Sequence, residues 1–418
     1  MSDWYCISQN GPEVRVEFIP SENRFWPPEI IRESALSVAD VSGRQVVLTG
    51  PGAVWMYAHA AATLRAAGAS DICVQTPNRP GTSDDLTGSE SLLILAGEDR
   101  QKGALLLVRL RASPPLSQMA VNRLLEPRLE ELARLRPAEL VLAGRASVEV
   151  YAQIARAAVD SGARRIVCWS ARDGLVVVYD PDGGRLGSQI ARPDWLAQAM
   201  PRPTWPVILG VTGDPNCGKS VFSAALDSYH EQIGCDGWKL DCDGQSPTPP
   251  WYLSLIGDER ARQLREAQKR CWTPQMEATI AEQLRLGREL FSVLIADLPG
   301  GNHKVVPPQR LPEGRERIFA EVDALILLQR DDAPSETAWR EALRPHGLDG
   351  RIAAVISSSH PDGPPSLSVC KEGGLWRGGV TGLDRSRSTR ELVEAYRSGL
   401  DQLWPAMLKF ARRRSARG

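Results

Sequence analysis

The chain has 418 residues, 42% of them hydrophobic, and its 50 Lys+Arg nearly balance 51 Asp+Glu for a formal net charge of -1. That is enough chain for two or three domains with ordinary cores, and the even charge excludes a generally basic coat for nucleic acid. No apolar run approaches a membrane span, the start Met1-Ser2-Asp3-Trp4 has no basic-then-apolar leader, and the 8 cysteines form no C-x-x-C pair, so a cytoplasmic protein with reduced thiols and no membrane contact is expected.

In chain order, Val14–Ile19 alternates like a strand, and Pro27-Pro28 opens a helix by placing proline in its first turn. Gln45–Thr49 reads as a strand, Val54–Ala67 as a helix ended by Gly68, and Asp71–Gln75 and Ser91–Ala96 as two more strands. The same order then recurs: strand Ala104–Leu110, helix Leu116–Leu135, strand Glu139–Ala143, helix Ser147–Ser161, and strands Arg165–Trp169 and Leu175–Tyr179. Val47-Leu48-Thr49-Gly50 and Val54-Trp55-Met56-Tyr57-Ala58 align at constant offset with Val141-Leu142-Ala143-Gly144 and Val148-Glu149-Val150-Tyr151-Ala152. Gly68-Ala69 matches Gly162-Ala163 at that offset, and Ile72 matches Ile166. A constant shift over strand, glycine turn, helix and strand points to duplication. The expected class is α/β, with two tandem βαβαββ units at residues 1–100 and 101–192, each a mixed sheet with helices on one face.

Pro193, Pro201, Pro203 and Pro206 mark residues 193–206 as a linker. Residues 207–418 follow as a third domain. Strands Val207–Val211, Gly237–Leu240, Val293–Ala296, Ala324–Leu328 and Ile352–Ser357 alternate with helices, which predicts a mainly parallel sheet covered on both faces. Leu367–Arg377 reads as a hairpin around a glycine pair.

The first strand of this domain leads into Gly213-Asp214-Pro215-Asn216-Cys217-Gly218-Lys219-Ser220, a full match to the phosphate-loop pattern G-x-x-x-x-G-K-[ST], and Val221 continues into a helix. Glycines 213 and 218 let backbone N–H groups approach a polyphosphate, Lys219 supplies a point charge, and the Ser220 hydroxyl would ligate Mg²⁺. Phe291-Ser292-Val293-Leu294-Ile295-Ala296-Asp297 is an apolar strand ending in an acid, followed by Leu298-Pro299-Gly300-Gly301. Asp297 is the candidate second holder of the Mg²⁺ shell, although an Asp at that point also caps a turn. Asp241 and Asp243, after the second strand, are candidates for a base or water-orienting group, or for a solvent-facing turn. ATP with Mg²⁺ is the expected nucleotide. The helix of residues 258–265 is arginine-rich and reads either as a closing element over phosphate or as a solvated face.

These features together resemble the CRISPR-associated ring-nuclease family of type III antiviral defence systems, which binds cyclic tetra-adenylate. Some members are similar in being fused to a C-terminal phosphate-loop domain. The resemblance rests on Ser42-Gly43-Arg44 through Val54-Trp55-Met56-Tyr57-Ala58, on its second copy, and on the domain order. It implies a signal-responsive NTPase or nucleotide kinase that binds the cyclic oligoadenylate second messenger across the two repeats, in a homo-oligomer. Gly50, Gly52, Tyr57, His59, Arg79, Gly144, Arg145 and Arg172 are the residues at which such a ligand is expected. The sequence departs from the family's active pattern: its late helical His position falls on Ala62 and Arg156, and its Asp-Pro-Arg turn reads Thr76-Pro77-Asn78, then Arg79, and Ser170-Ala171-Arg172. Neither copy keeps the acid, so binding without cutting is expected. An active ring nuclease, or a metabolic kinase with N-terminal assembly domains, are the alternatives.

Overall fold

The structure, a computed structural model, describes residues 4–19, 21, 26–37, 39, 41–75, 93–96, 104–109, 118–170, 173–199, 202–235, 237–246, 259–269 and 271–415. The chain is mixed α/β and forms two compact units, Met1–Pro201 and Arg202–Gly418. The division falls inside the stretch expected as a linker, which also contains a short helix, Asp194–Ala199.

The first unit contains two sheets. Strands β1 (Tyr5–Asn10), β2 (Glu13–Phe18), β3 (Gln45–Thr49) and β4 (Asp71–Val74) lie in that order, with β1 antiparallel to β2 and the rest parallel. The second sheet runs β10-β9-β8-β7-β6-β5, with β5 (Leu93–Ala96), β6 (Ala104–Arg109), β7 (Glu139–Arg145), β8 (Arg165–Ser170), β9 (Gly174–Tyr179) and β10 (Gln189–Ile190). Here too the first strand is antiparallel to the second and the next two are parallel. Strand β5, expected as the last strand of residues 1–100, instead pairs with β6 in the second sheet. Strand β1 takes the equivalent place in the first. Each sheet therefore begins with an antiparallel pair; the second sheet also keeps the strand pair expected at the end of its unit, β8 antiparallel to β9, while the first unit's expected last strand, β5, has gone to the second sheet. Hairpin partners need only a short connection, so pairing across the expected boundary competes easily with pairing inside it.

After the short helix α1 (Ile30–Glu33), and with α3 (Gln118–Leu135) between them in the chain, helices α2 (Val54–Ala66) and α4 (Val148–Asp160) pack against each other between these sheets. Helix α2 is buried almost all round, from Trp55 through Leu64. That is why it shows no polar stripe: it has sheet on one side and helix on another. The small side chains of Ala58, Ala60, Ala61 and Ala62 are all fully buried.

The second unit is one seven-stranded sheet in the order β12-β13-β11-β14-β15-β17-β16. Its strands are β11 (Val207–Gly213), β12 (Gly237–Asp241), β13 (Val293–Asp297), β14 (Ala324–Arg330), β15 (Ile352–Ser359), β16 (Ser366–Glu372) and β17 (Leu375–Thr381). All are parallel except the edge strand β16, which forms the expected hairpin with β17. Alternate residues such as Val207, Leu209 and Val211 meet the helices Lys219–Gln232 and Thr389–Ser415 in one core. On the other face Leu294 packs at Gly287 of the helix Pro274–Gly287. Both faces being covered explains why β11 and β13 are buried at every residue and read as continuous apolar runs. Among the described residues no helix is long and apolar enough to cross a membrane.

Candidate functional site

The loop of residues 213–218 lies at the carboxyl end of β11, where the chain crosses from one side of the sheet to the other: β11 sits between β13 and β14. In open parallel sheets that is where crevices for ligands form. The loop's backbone departs from ordinary geometry at three points. Gly213 has φ 145°, Asn216 φ 63° and Gly218 φ 87°. A Cβ at Gly213 would overlap the Leu328 carbonyl oxygen, and one at Gly218 would stand 2.6 Å from Leu383 Cδ1. Both positions therefore require glycine, and helix Lys219–Gln232 starts directly after them.

Lys219 Nζ donates to the Asp214 carbonyl at 3.0 Å. Gly300, on the loop after β13, passes so close that a Cβ there would lie 2.9 Å from Lys219 Nζ and 2.9 Å from the Gly213 carbonyl oxygen. The lysine, the glycine loop and the segment after Asp297 thus converge on one place. Cys217 is fully buried, and burial pushes its thiol pKa up, so it acts as a small packing residue.

Asp297 ends β13 in direct register with Val211 of β11 on one side and with Asp241 of β12 on the other. It is buried, and its Oδ2 accepts no hydrogen bond among the described residues. Lys239 Nζ stands 3.7 Å from that oxygen, with both side chains under 5% exposed (3% and 4%). Burial, and then the charge of Asp297, raise the Asp241 pKa to about 6. Asp243 does something different. Its Oδ1 accepts from the backbone N–H groups of Gln245 and Ser246, while its own N–H donates to Asp241 Oδ1. It holds the turn that orients Asp241, so of the two acids only Asp241 belongs with Asp297.

Asp214, the second loop residue, is held from two distant segments. Arg310 donates to it through Nε at 3.1 Å and Nη2 at 2.9 Å, and Trp339 Nε1 donates at 2.7 Å. His303 Nε2 donates to the Gly300 carbonyl at 3.0 Å and lies 3.7 Å from Asp214 Oδ1. Lys239 was detectable by its spacing, since Lys239 and Asp241 share one strand face at a period of two. Arg310, His303 and Trp339 reach the loop across long stretches of chain and have no local signal.

The arginine-rich helix, Glu259–Gln268 among the described residues, pairs its charges along its own surface, Arg262 with Glu259 and Lys269 with Glu266. Arg265 donates to Ser246 Oγ at 3.4 Å and lies 4.0 Å from Glu266.

In the first unit the expected ligand residues separate. Tyr57 is buried and its hydroxyl donates to the Gly50 carbonyl at 2.7 Å. His59 is buried, with Nδ1 2.8 Å from the Val178 carbonyl, and burial lowers its pKa to about 4. Neither is presented to a ligand: both serve the core around α2, as does the fully buried Trp55. The glycines at 50 and 52 make room for Phe18, whose backbone and ring a Cβ would strike. Gly144, with φ 108°, repeats the turn of Gly50, with φ 98°, and Tyr151 donates to its carbonyl at 3.0 Å. Arg79, Arg172 and the side chain of Arg145 lie outside the described residues.

No group of three or more His, Cys, Asp or Glu gathers in metal-holding geometry among the described residues. No protein-family model matches the chain. No curated protein matches it either. Among solved structures it is similar to a DUF1611 family protein from Anabaena variabilis, at 13% identity and a TM-score of 0.22, with 55% of this chain and 70% of that one covered. Likeness at that level carries no argument.

Proposed function

We propose that the second unit binds a nucleoside triphosphate, ATP with Mg²⁺, at residues 213–221, and hydrolyses it or passes its terminal phosphoryl group to an acceptor. One observation carries the reading: two glycines that tolerate no Cβ turn the chain from β11 into a helix N-terminus, with Lys219 Nζ and Gly300 closing the same cradle. Backbone N–H groups at such a turn favour phosphate oxygens. Ser220 and Asp297 would hold Mg²⁺, and the hydrogen-bond-free Oδ2 of buried Asp297 fits that role. One hydroxyl and one carboxylate are an ordinary protein share for this ion, with phosphate and water as the rest. The bound ion would neutralise phosphate charge. Lys219 would add its own charge, and Asp241, made more basic by burial, would take a proton from the attacking water or hydroxyl. ATP and GTP turnover by wild type and Lys219→Ala, with and without Mg²⁺, tests the proposal; equal rates in the two proteins reject it.

The first unit, in this proposal, is a duplicated βα unit that binds cyclic oligoadenylate in a type III CRISPR accessory protein, which assembles as a homo-oligomer. Support for duplication comes from the paired turns: the bond from Tyr57 to Gly50 and the bond from Tyr151 to Gly144 each span seven residues. Support for the ligand is the family resemblance alone. The burial of His59 favours binding over cleavage, because an imidazole in the core reaches no ligand. Titration with cyclic tri-, tetra- and hexa-adenylate, with and without ATP, decides the ligand; no binding of any ring rejects that half of the proposal.

A further inference from the structure

Asp214 places a carboxylate in a loop whose proposed task is to hold anions. A unit charge about 7 Å from a bound anion, at the effective dielectric of a protein surface, weakens binding by roughly tenfold to a hundredfold. The structure assigns the compensation to Arg310: we infer that Arg310 is a positioning residue that cancels the charge of Asp214, leaving Lys219 free for phosphate. This rests on the nucleotide-binding reading above and specifies how that site keeps its affinity.

Three observations carry it. The guanidinium meets the carboxylate with two bonds, Nε to Oδ1 and Nη2 to Oδ2, the fork geometry that only arginine provides. Both side chains are mostly buried, 16% and 22% exposed, so solvent screens the pair only in part. Trp339, fully buried, fixes Oδ1 from a third direction, which keeps the carboxylate turned to Arg310. Lys219 is not spent on this charge, because its Nζ donates to the Asp214 carbonyl and not to the carboxylate. Among the described residues Arg310 donates its side-chain bonds to Asp214 alone. Arg310 itself is set beside the loop by Gly301, where a Cβ would fall 2.7 Å from the Arg310 Cα.

The test is the dissociation constant of ATP with Mg²⁺, by calorimetry, for the full chain and three variants. Arg310→Met is expected to raise it about tenfold or more, with a smaller loss at 1 M than at 0.1 M salt, as screening requires. Adding Asp214→Asn to Arg310→Met is expected to recover most of the loss, since the uncovered charge is then gone. Arg310→Lys keeps the charge without the fork and is expected to lie nearer wild type than Arg310→Met. Equal loss in Arg310→Met and the double variant overturns the inference, as does equal loss in Arg310→Lys and Arg310→Met. A wild-type chain that binds no nucleotide overturns the functional reading itself, an outcome distinct from these.

Discussion

Asp241 and Asp297 end two neighbouring parallel strands in direct register, and Lys239 Nζ lies 3.7 Å from Asp297. Asp297 and Lys239 are buried and Asp241 is partly buried, and in the proposed function Asp297 would help to hold Mg²⁺. Asp297→Asn is expected to lower Mg²⁺-dependent ATP turnover by roughly a hundredfold. It also removes one of the two acids beside buried Lys239, with Asp241 remaining, so nucleotide-free stability is expected to fall by about 1–2 kcal/mol. Steady-state kinetics and urea unfolding read the two effects, and Lys239→Met added to Asp297→Asn is expected to restore stability but not turnover.

Gly213→Ala meets both obstacles a side chain can meet. The backbone has φ 145°, and the new methyl would overlap the Leu328 carbonyl and stand 3.0 Å from Cys217 Sγ. A stability loss of about 2–4 kcal/mol is expected, measured by thermal unfolding. Gly234→Ala, at φ 73° with open space around it, is expected to cost only about 1 kcal/mol.

His59 makes the first unit sensitive to acid. Its pKa is lowered from 6.5 to about 4 by burial. The unfolded chain therefore takes up this proton before the folded one does. Stability is full above pH 6.5 and falls as the pH drops toward 4, by about 3 kcal/mol from this group. His59→Gln is expected to flatten that slope, read as urea midpoints at pH 7, 5.5 and 4.

Between the two halves of the first unit, Arg65 of α2 pairs with Asp160 of α4 at 2.6 Å and Arg156 of α4 with Asp71 of β4 at 2.5 Å, with every side chain at least 30% exposed. Such pairs contribute little, and Arg65→Ala or Arg156→Ala is expected to cost less than about 1 kcal/mol. Ala61→Leu, at a fully buried position of α2, is expected to cost about 1–3 kcal/mol by overpacking. Unfolding of the single variants ranks the two contributions.

Much of the strand pattern was legible because β11 and β13 are apolar runs bounded by glycine and acid, and because Gln45–Thr49 came out as expected to the residue. The loop from Gly213 to Ser220 was legible because its glycine spacing is local chemistry. Strand β1 was missed, since Tyr5–Asn10 puts three apolar residues before three polar ones with no alternation, and it gains its place by pairing with β2. Tyr57 and His59 were placed at a ligand because aromatic and imidazole groups suit adenine, and nothing in one sequence tells that face of a helix from a buried one.

What the sequence determined by itself is what short-range sterics and periodicity control: the strand-turn-helix at residues 207–232, the acid ending β13, the matched turns at Gly50 and Gly144. What only the tertiary structure decided is which distant groups meet. Arg310 and Trp339 reach Asp214 across 96 and 125 residues, β5 joins the second sheet, and α2 loses its solvent face to α4. Those choices depend on burial and on charge compensation between segments. Both are properties of the packed chain, so no window of residues carries them.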